Sequence, residues 1–173
     1  MLKTATQEVS TASMSMYRGL ENSKRSLLYG GDVLKPSSYP RVLVVDDDPI
    51  FGKIIHRSAS QLGVNLTYCE TVTKFGVLGD TWDDYDVAII DCDLGSLSGY
   101  QLVDFMELHT KKNIPVVLVS QTKPNKDQKW PVSIREFIHK KLGPFAILDA
   151  AFEAYEISKI YNEIDTSKKK VNH

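Results

Sequence analysis

Five aspartates, a serine and a lysine carry the reactive groups of this chain, and their spacing points to one site. Asp46-Asp47-Asp48 closes the run Val42-Leu43-Val44-Val45, and Asp91 closes Val87-Ala88-Ile89-Ile90, with Asp93 two residues on. Ser120 closes Val116-Val117-Leu118-Val119, and Lys140 follows Phe137-Ile138-His139. Carboxylates gathered together cannot all stay ionised unless a cation joins them. Hard oxygen donors with positions left for water suit Mg²⁺ or Mn²⁺. A divalent ion in such a cluster attracts a phosphoryl group, to whose oxygens Ser120 would offer a donor and Lys140 a positive charge. One carboxylate could then act as nucleophile and form an acyl phosphate. The plainer reading of Asp46-Asp47-Asp48 before Pro49 is a helix N-cap cluster, but one aspartate would suffice for that.

These groups meet only if the runs before them lie side by side. Continuous apolar runs of four, bounded by acids or turn residues, suit strands buried on both faces of a parallel sheet. Weaker strands are expected over Val64–Cys69 and Phe137–His139. Helical spacing appears between them. Pro49 suits a first helical position, Ile50, Ile54, Ile55, Ala59 and Leu62 repeat on one face, and Gly63 is a natural stop. Further helices are expected over Thr73–Leu78, over Gly99–His109 with Leu102, Phe105, Met106 and His109 on one side, and over Phe145–Tyr161 with Leu148, Phe152 and Tyr155 on one face. Strands alternating with helices imply an α/β fold, an open parallel five-stranded sheet with helices on both faces. Ligands of such sheets sit beyond the carboxyl ends of the strands, where the acids, Ser120 and Lys140 fall.

Composition narrows the function. Of 173 residues, 21 are Lys or Arg and 22 Asp or Glu, so a net charge of −1 excludes a nucleic-acid binder by bulk charge. A hydrophobic fraction of 42% with 25% charged residues is that of a globular domain. No apolar run approaches ~18 residues, so no membrane span is expected. The N-terminus lacks an apolar secretory core, which predicts a cytoplasmic protein with Cys69 and Cys92 as thiols. The four histidines show no metal spacing. Residues 1–39 read as an extension: a rough heptad stripe (Leu2, Val9, Met16, with Ser13, Leu20 and Leu27) predicts a helix from about Thr6 to Tyr29, ended by Gly30-Gly31, that could pair with a second copy. Residues 40–161 are the folded domain, and residues 162–173, with Lys168-Lys169-Lys170, a charged tail.

On these motifs, residues 40–161 resemble a receiver domain of bacterial two-component signalling, of flavodoxin-like fold. The family's acidic pair corresponds to Asp46-Asp47, its phosphoacceptor to Asp91, and the glycine eight residues later to Gly99. Its Thr/Ser after the fourth strand corresponds to Ser120, its lysine after the fifth to Lys140, and its aromatic switch position to Phe137. The resemblance implies Mg²⁺-dependent phosphorylation of Asp91, with the ion held by Asp46, Asp47 and Asp91 and by the backbone carbonyl of Asp93. It implies a sensor histidine kinase or phosphotransfer protein as phosphodonor. Twelve residues follow Tyr161, too few for an output domain, so a stand-alone receiver with a downstream protein partner is expected.

The chain departs from the family pattern at several points. Lys141 replaces the usual proline after the lysine, Gly95 a common proline in the acceptor loop, and Gln121 the usual small residue after Ser120, where it should narrow access to the phosphoryl group. Between Ser120 and Phe137, Pro124 and Pro131 leave no helical periodicity, so the fourth helix is predicted to be short, displaced or absent. These departures motivate an alternative: an interaction module that keeps the fold but not phosphorylation. A third reading comes from Asp91-Cys92-Asp93, which is similar to the nucleophile motif of haloacid-dehalogenase-like phosphatases. That family, however, places its metal-binding acids after the lysine.

Overall fold

A computed structural model describes residues 40–70, 79–122 and 129–171 of the chain. The expected N-terminal helix, its pairing with a second copy and the helix over Thr73–Leu78 lie outside these residues. The elements are β1 (Val42–Val45), α1 (Pro49–Gln61), β2 (Leu66–Cys69), a 3₁₀ turn (Gly79–Asp84), β3 (Val87–Asp91), α2 (Gly99–His109), β4 (Val116–Ser120), β5 (Ile134–His139), a 3₁₀ turn (Lys140–Leu142) and α3 (Pro144–Val171).

The strands form one parallel sheet of order β2-β1-β3-β4-β5. In a strand successive side chains point to opposite faces, so a run of four apolar residues feeds two cores at once. Val42 and Val44 join Val87, Ile89, Val117 and Val119 beneath α1 and α3. Leu43 and Val45 join Ala88, Ile90, Val116 and Leu118 beneath α2 and Trp82. All four residues of β1 are fully buried, the pattern of an interior parallel strand.

Local chemistry sets the helix limits. Asp48 is the N-cap of α1, its carboxylate accepting from the Ile50 backbone N–H, with Pro49 beginning the helix. Ser98 caps α2 in a capping box with Gln101. Sequence spacing misjudged the face of α1. Its buried residues are Phe51, Gly52, Ile55, Ser58 and Ala59, while Ile50 and Ile54 are exposed. Isoleucine drew the stripe about one position off, because an apolar residue at the edge of a helix face reads like one at its centre. α3 also runs on to Val171, beyond the expected end at Tyr161, through residues expected to form a tail. No Gly or Pro follows Pro144 to stop it, and a charged sequence suits a solvated helix as well as a tail. β5 begins three residues earlier than expected, at Ile134. Between β4 and β5 no described residue is helical: residues 121–122 bend, and Pro131–Ser133 turn directly into the strand, the Ile134 N–H donating to the Pro131 carbonyl at 3.2 Å.

Candidate functional site

The carboxyl edge of the sheet gathers the site. Asp46 follows β1 and is fully buried; its backbone N–H donates to the Cys69 carbonyl at 3.1 Å, which keeps it in line with the sheet. Its Oδ1 accepts from the Asp48 N–H at 3.0 Å. Asp91 is the last residue of β3, also buried. Lys140, in the 3₁₀ turn after β5, inserts its ammonium between the two, with Nζ 2.7 Å from Asp46 Oδ2 and 2.6 Å from Asp91 Oδ2. The Phe51 ring lies 4.8 Å from that nitrogen, an apolar wall for the charge. Asp47 is exposed, yet Asp46, Asp47 and Asp91 each bring a carboxylate oxygen to a cluster no wider than 4.8 Å.

The electrostatics follow from burial. Burial raises the Asp46 carboxyl to about 6, against the pull of Lys140 and the Asp48 N–H. Asp91 is raised for the same reason, again opposed by Lys140. Burial pulls the Lys140 ammonium down, but its bonds to Asp46 and Asp91 outweigh this and hold it above its ordinary value. Burial pushes the neighbouring Cys92 thiol up to about 11, so it is not a competing nucleophile at neutral pH.

Ser120 closes β4, buried, and its Oγ accepts from the Thr122 N–H at 3.1 Å while pairing with the Thr122 hydroxyl at 3.3 Å. Gln121 beside it is exposed. Asp93 is exposed and does not join the carboxylate cluster. Its Oδ1 accepts from the Gly95 N–H at 3.1 Å, and its own backbone N–H lies 3.5 Å from Asp91 Oδ1. This turn accounts for one departure from the family pattern: Gly95 has φ +74° and donates its N–H, and proline can do neither. Lys141 accounts for another, since its N–H donates to His139 Nδ1 at 3.2 Å, a bond proline cannot make. Gly99 is demanded by packing. A Cβ there would stand 2.1 Å from the Asp91 carbonyl oxygen, so only glycine lets the start of α2 close over the end of β3.

Sequence reasoning missed three residues. Phe51 was overlooked in favour of Ile50. Thr122, bonded to Ser120, gave no signal of its own. Tyr68 of β2 donates its hydroxyl to the backbone carbonyls of Asp46 (2.7 Å) and Asp48 (3.0 Å). The one available signal was Gly52, a glycine inside an otherwise regular helix pattern.

A sheet of order 2-1-3-4-5 that presents two buried carboxylates and a lysine at its carboxyl edge defines a flavodoxin-like α/β domain with its site at the topological switch point. Residues 42–152 match the family model of the response regulator receiver domain, and the chain belongs to that family, a module of two-component signalling. Among curated proteins it is similar to the two-component response regulator ARR11 of Arabidopsis thaliana, 31% identical over 81 residues, or 46% of this chain and 15% of that protein. It is also similar to ORR26 of Oryza sativa subsp. japonica, 28% identical over 81 residues. The match thus spans about one seventh of these relatives' length. Among solved structures, a CheY-like receiver domain from Methanospirillum hungatei superposes with TM-score 0.60 at 17% identity, covering 72% of this chain and 99% of that one. The receiver domain of a Francisella response regulator gives 0.58 at 21%, covering 69% and 98%. At these identities the likeness shows the fold.

Proposed function

We propose that this chain is a phosphoacceptor that takes a phosphoryl group on Asp91. The observation that carries the reading is the single ammonium of Lys140 held between two buried carboxylates from different strands. An Asp91 oxygen would attack the phosphorus of a phosphohistidine or a small acyl phosphate, forming an O–P bond as the bond to the donor's leaving group breaks. Asp46, Asp47 and Asp91 offer the hard oxygen donors that suit Mg²⁺, with the Asp93 carbonyl as a further ligand. When bound, that ion would neutralise charge on the phosphoryl oxygens. Lys140 would leave Asp46 and follow the new negative charge on Asp91, and the Ser120 hydroxyl, rotated from Thr122, would donate to a phosphoryl oxygen. A histidine kinase or phosphotransfer protein is the fitting donor, and a protein partner the fitting output.

The carboxylates gathered at Asp91 come from the end of β1, ahead of it in the chain, which argues against the haloacid-dehalogenase arrangement. The alternative is a phosphorylation-independent interaction module, motivated by Gln121 and by Pro124 and Pro131 in the sequence after Ser120. Incubation with acetyl phosphate and Mg²⁺, read by intact mass, decides. Wild type should gain the mass of one phosphoryl group and Asp91→Asn should not. No adduct on either, together with no thermal shift on adding beryllofluoride and Mg²⁺, would favour the interaction module. An unchanged adduct on Asp91→Asn would move the acceptor elsewhere.

A further inference from the structure

The loop that carries Asp46, Asp47 and Asp48 is closed from two sides. From within, Asp46 Oδ1 accepts from the Asp48 N–H at 3.0 Å. From the side, the Tyr68 hydroxyl reaches over from β2 and shares its proton between the Asp46 carbonyl at 2.7 Å and the Asp48 carbonyl at 3.0 Å. These are the two carbonyls that flank Asp47. The Asp47 side chain is exposed, so its place beside Asp46 and Asp91 depends on its backbone, and that backbone is tied at both ends to one phenol. The Asp48 carbonyl also accepts from the Gly52 N–H at 3.0 Å, so the same atom joins the loop, the first turn of α1 and Tyr68.

Gly52 makes the arrangement possible. It lies in the fourth position of α1, where glycine costs about 1 kcal/mol against alanine by helix propensity alone. A Cβ at residue 52 would stand 2.3 Å from Tyr68 Cζ and 2.5 and 2.7 Å from the two ring carbons beside it. No rotation within the ring plane relieves contacts on three adjacent ring atoms, so any side chain at 52 expels the phenol. The helix thus gives up propensity at the one position over which the tyrosine ring must pass.

We propose, building on the reading of Asp46, Asp47 and Asp91 as a divalent-cation site, that Tyr68 is a positioning residue which sets the Asp46–Asp48 loop for metal binding, with Gly52 as its obligatory partner. A phenol carries its proton at neutral pH, so the hydroxyl is a donor to both carbonyls. Loss of the hydroxyl leaves the ring packed, removes the tie from the Asp46 carbonyl and leaves the Asp48 carbonyl with the Gly52 N–H alone, so the loop samples positions that take Asp47 out of reach of the ion.

The test uses the full chain. Mg²⁺ affinity is measured by calorimetry for wild type, Tyr68→Phe and Gly52→Ala, and amide hydrogen exchange is followed by NMR in the metal-free proteins. Tyr68→Phe should weaken Mg²⁺ binding by roughly 10–100-fold, the range expected for removing hydrogen bonds that orient a metal ligand. It should speed exchange at residues 46–52 while leaving exchange in β3 and β4 at wild-type rates, a pattern that general destabilisation would not produce. Gly52→Ala should lose at least as much affinity. Made on a Tyr68→Ala background, where no ring remains to be expelled, the same change should cost little more. Wild-type affinity and loop exchange in Tyr68→Phe would overturn the proposal even if Gly52→Ala fails to fold. If wild type itself binds no Mg²⁺, the cation site falls and the proposal with it, a result distinct from wild type binding and Tyr68→Phe binding equally.

Discussion

Burial raises the Asp46 carboxyl against the pull of its counter-ion, the Lys140 ammonium, and this sets the pH behaviour of the site. The folded pKa of Asp46, about 6, is above the unfolded carboxylate value of about 3.9. The native protein therefore binds a proton more readily than the unfolded chain across that interval. The stability this group contributes is present at the acid end of the interval and is lost as pH rises through about 6. In chelator, the melting temperature should fall between pH 5 and pH 7 by the share due to Asp46, and saturating Mg²⁺ at pH 7 should reverse the fall. A metal must displace the same proton, so Mg²⁺ affinity should rise about fivefold from pH 5 to pH 6, about twofold more by pH 7, and level off above it. Melts and calorimetric titrations at these pH values check both. A flat affinity profile would mean that Asp46 is ionised throughout.

At the scale of elements, α1 does two jobs with different faces. Its first turn caps on Asp48 and leaves room at Gly52 for Tyr68, and its middle buries Phe51, Ile55 and Ala59 against β1 and α3. Ile54, one residue from Ile55, is 47% exposed whereas Ile55 is fully buried. Ile55→Ala should therefore cost about 2–5 kcal/mol in urea denaturation, the range for large-to-small changes in a packed core. Ile54→Ala should stay within about 0.5 kcal/mol, as surface substitutions do. Equal losses would return the buried stripe to the one read from spacing. The loop after β3 shows the same economy. Asp93, Gly95 and Gly99 use a side-chain acceptor, a positive φ and a missing Cβ to bring α2 down onto Asp91.

For the whole domain, the sheet is the rigid frame and α3 is longer than that frame requires. The buried residues of α3 run from Ile147 to Ser158, and Lys159–Asn162 are exposed although the helix continues to Val171. Deleting residues 163–173 should lower stability by less than about 1 kcal/mol, a shift of only a few degrees in melting temperature for a domain of this size. A larger loss would show that the end of α3 packs on the protein. No helix among the described residues is long and apolar enough to cross a membrane.

The sheet and its polar carboxyl edge were legible in the sequence because both rest on local, periodic signals. A buried parallel strand must be apolar on both faces, so Val42–Val45, Val87–Ile90 and Val116–Val119 announce themselves, and the polar residue that ends each run marks the carboxyl edge. Asp46, Asp91, Ser120 and Lys140 could thus be placed at one edge of the sheet from topology alone. Tertiary structure decided what depends on contacts between distant segments. That Lys140 bridges Asp46 and Asp91 depends on the reach of a side chain across three strands. That Gly95 and Lys141 serve as backbone donors where the family has proline depends on the path of two loops. That Tyr68 ties the acidic loop across Gly52 depends on two elements meeting within a ring's thickness. None of these has a period, and a hydrogen bond between residues 22 apart in the chain leaves no pattern in either segment that composition or spacing can reveal.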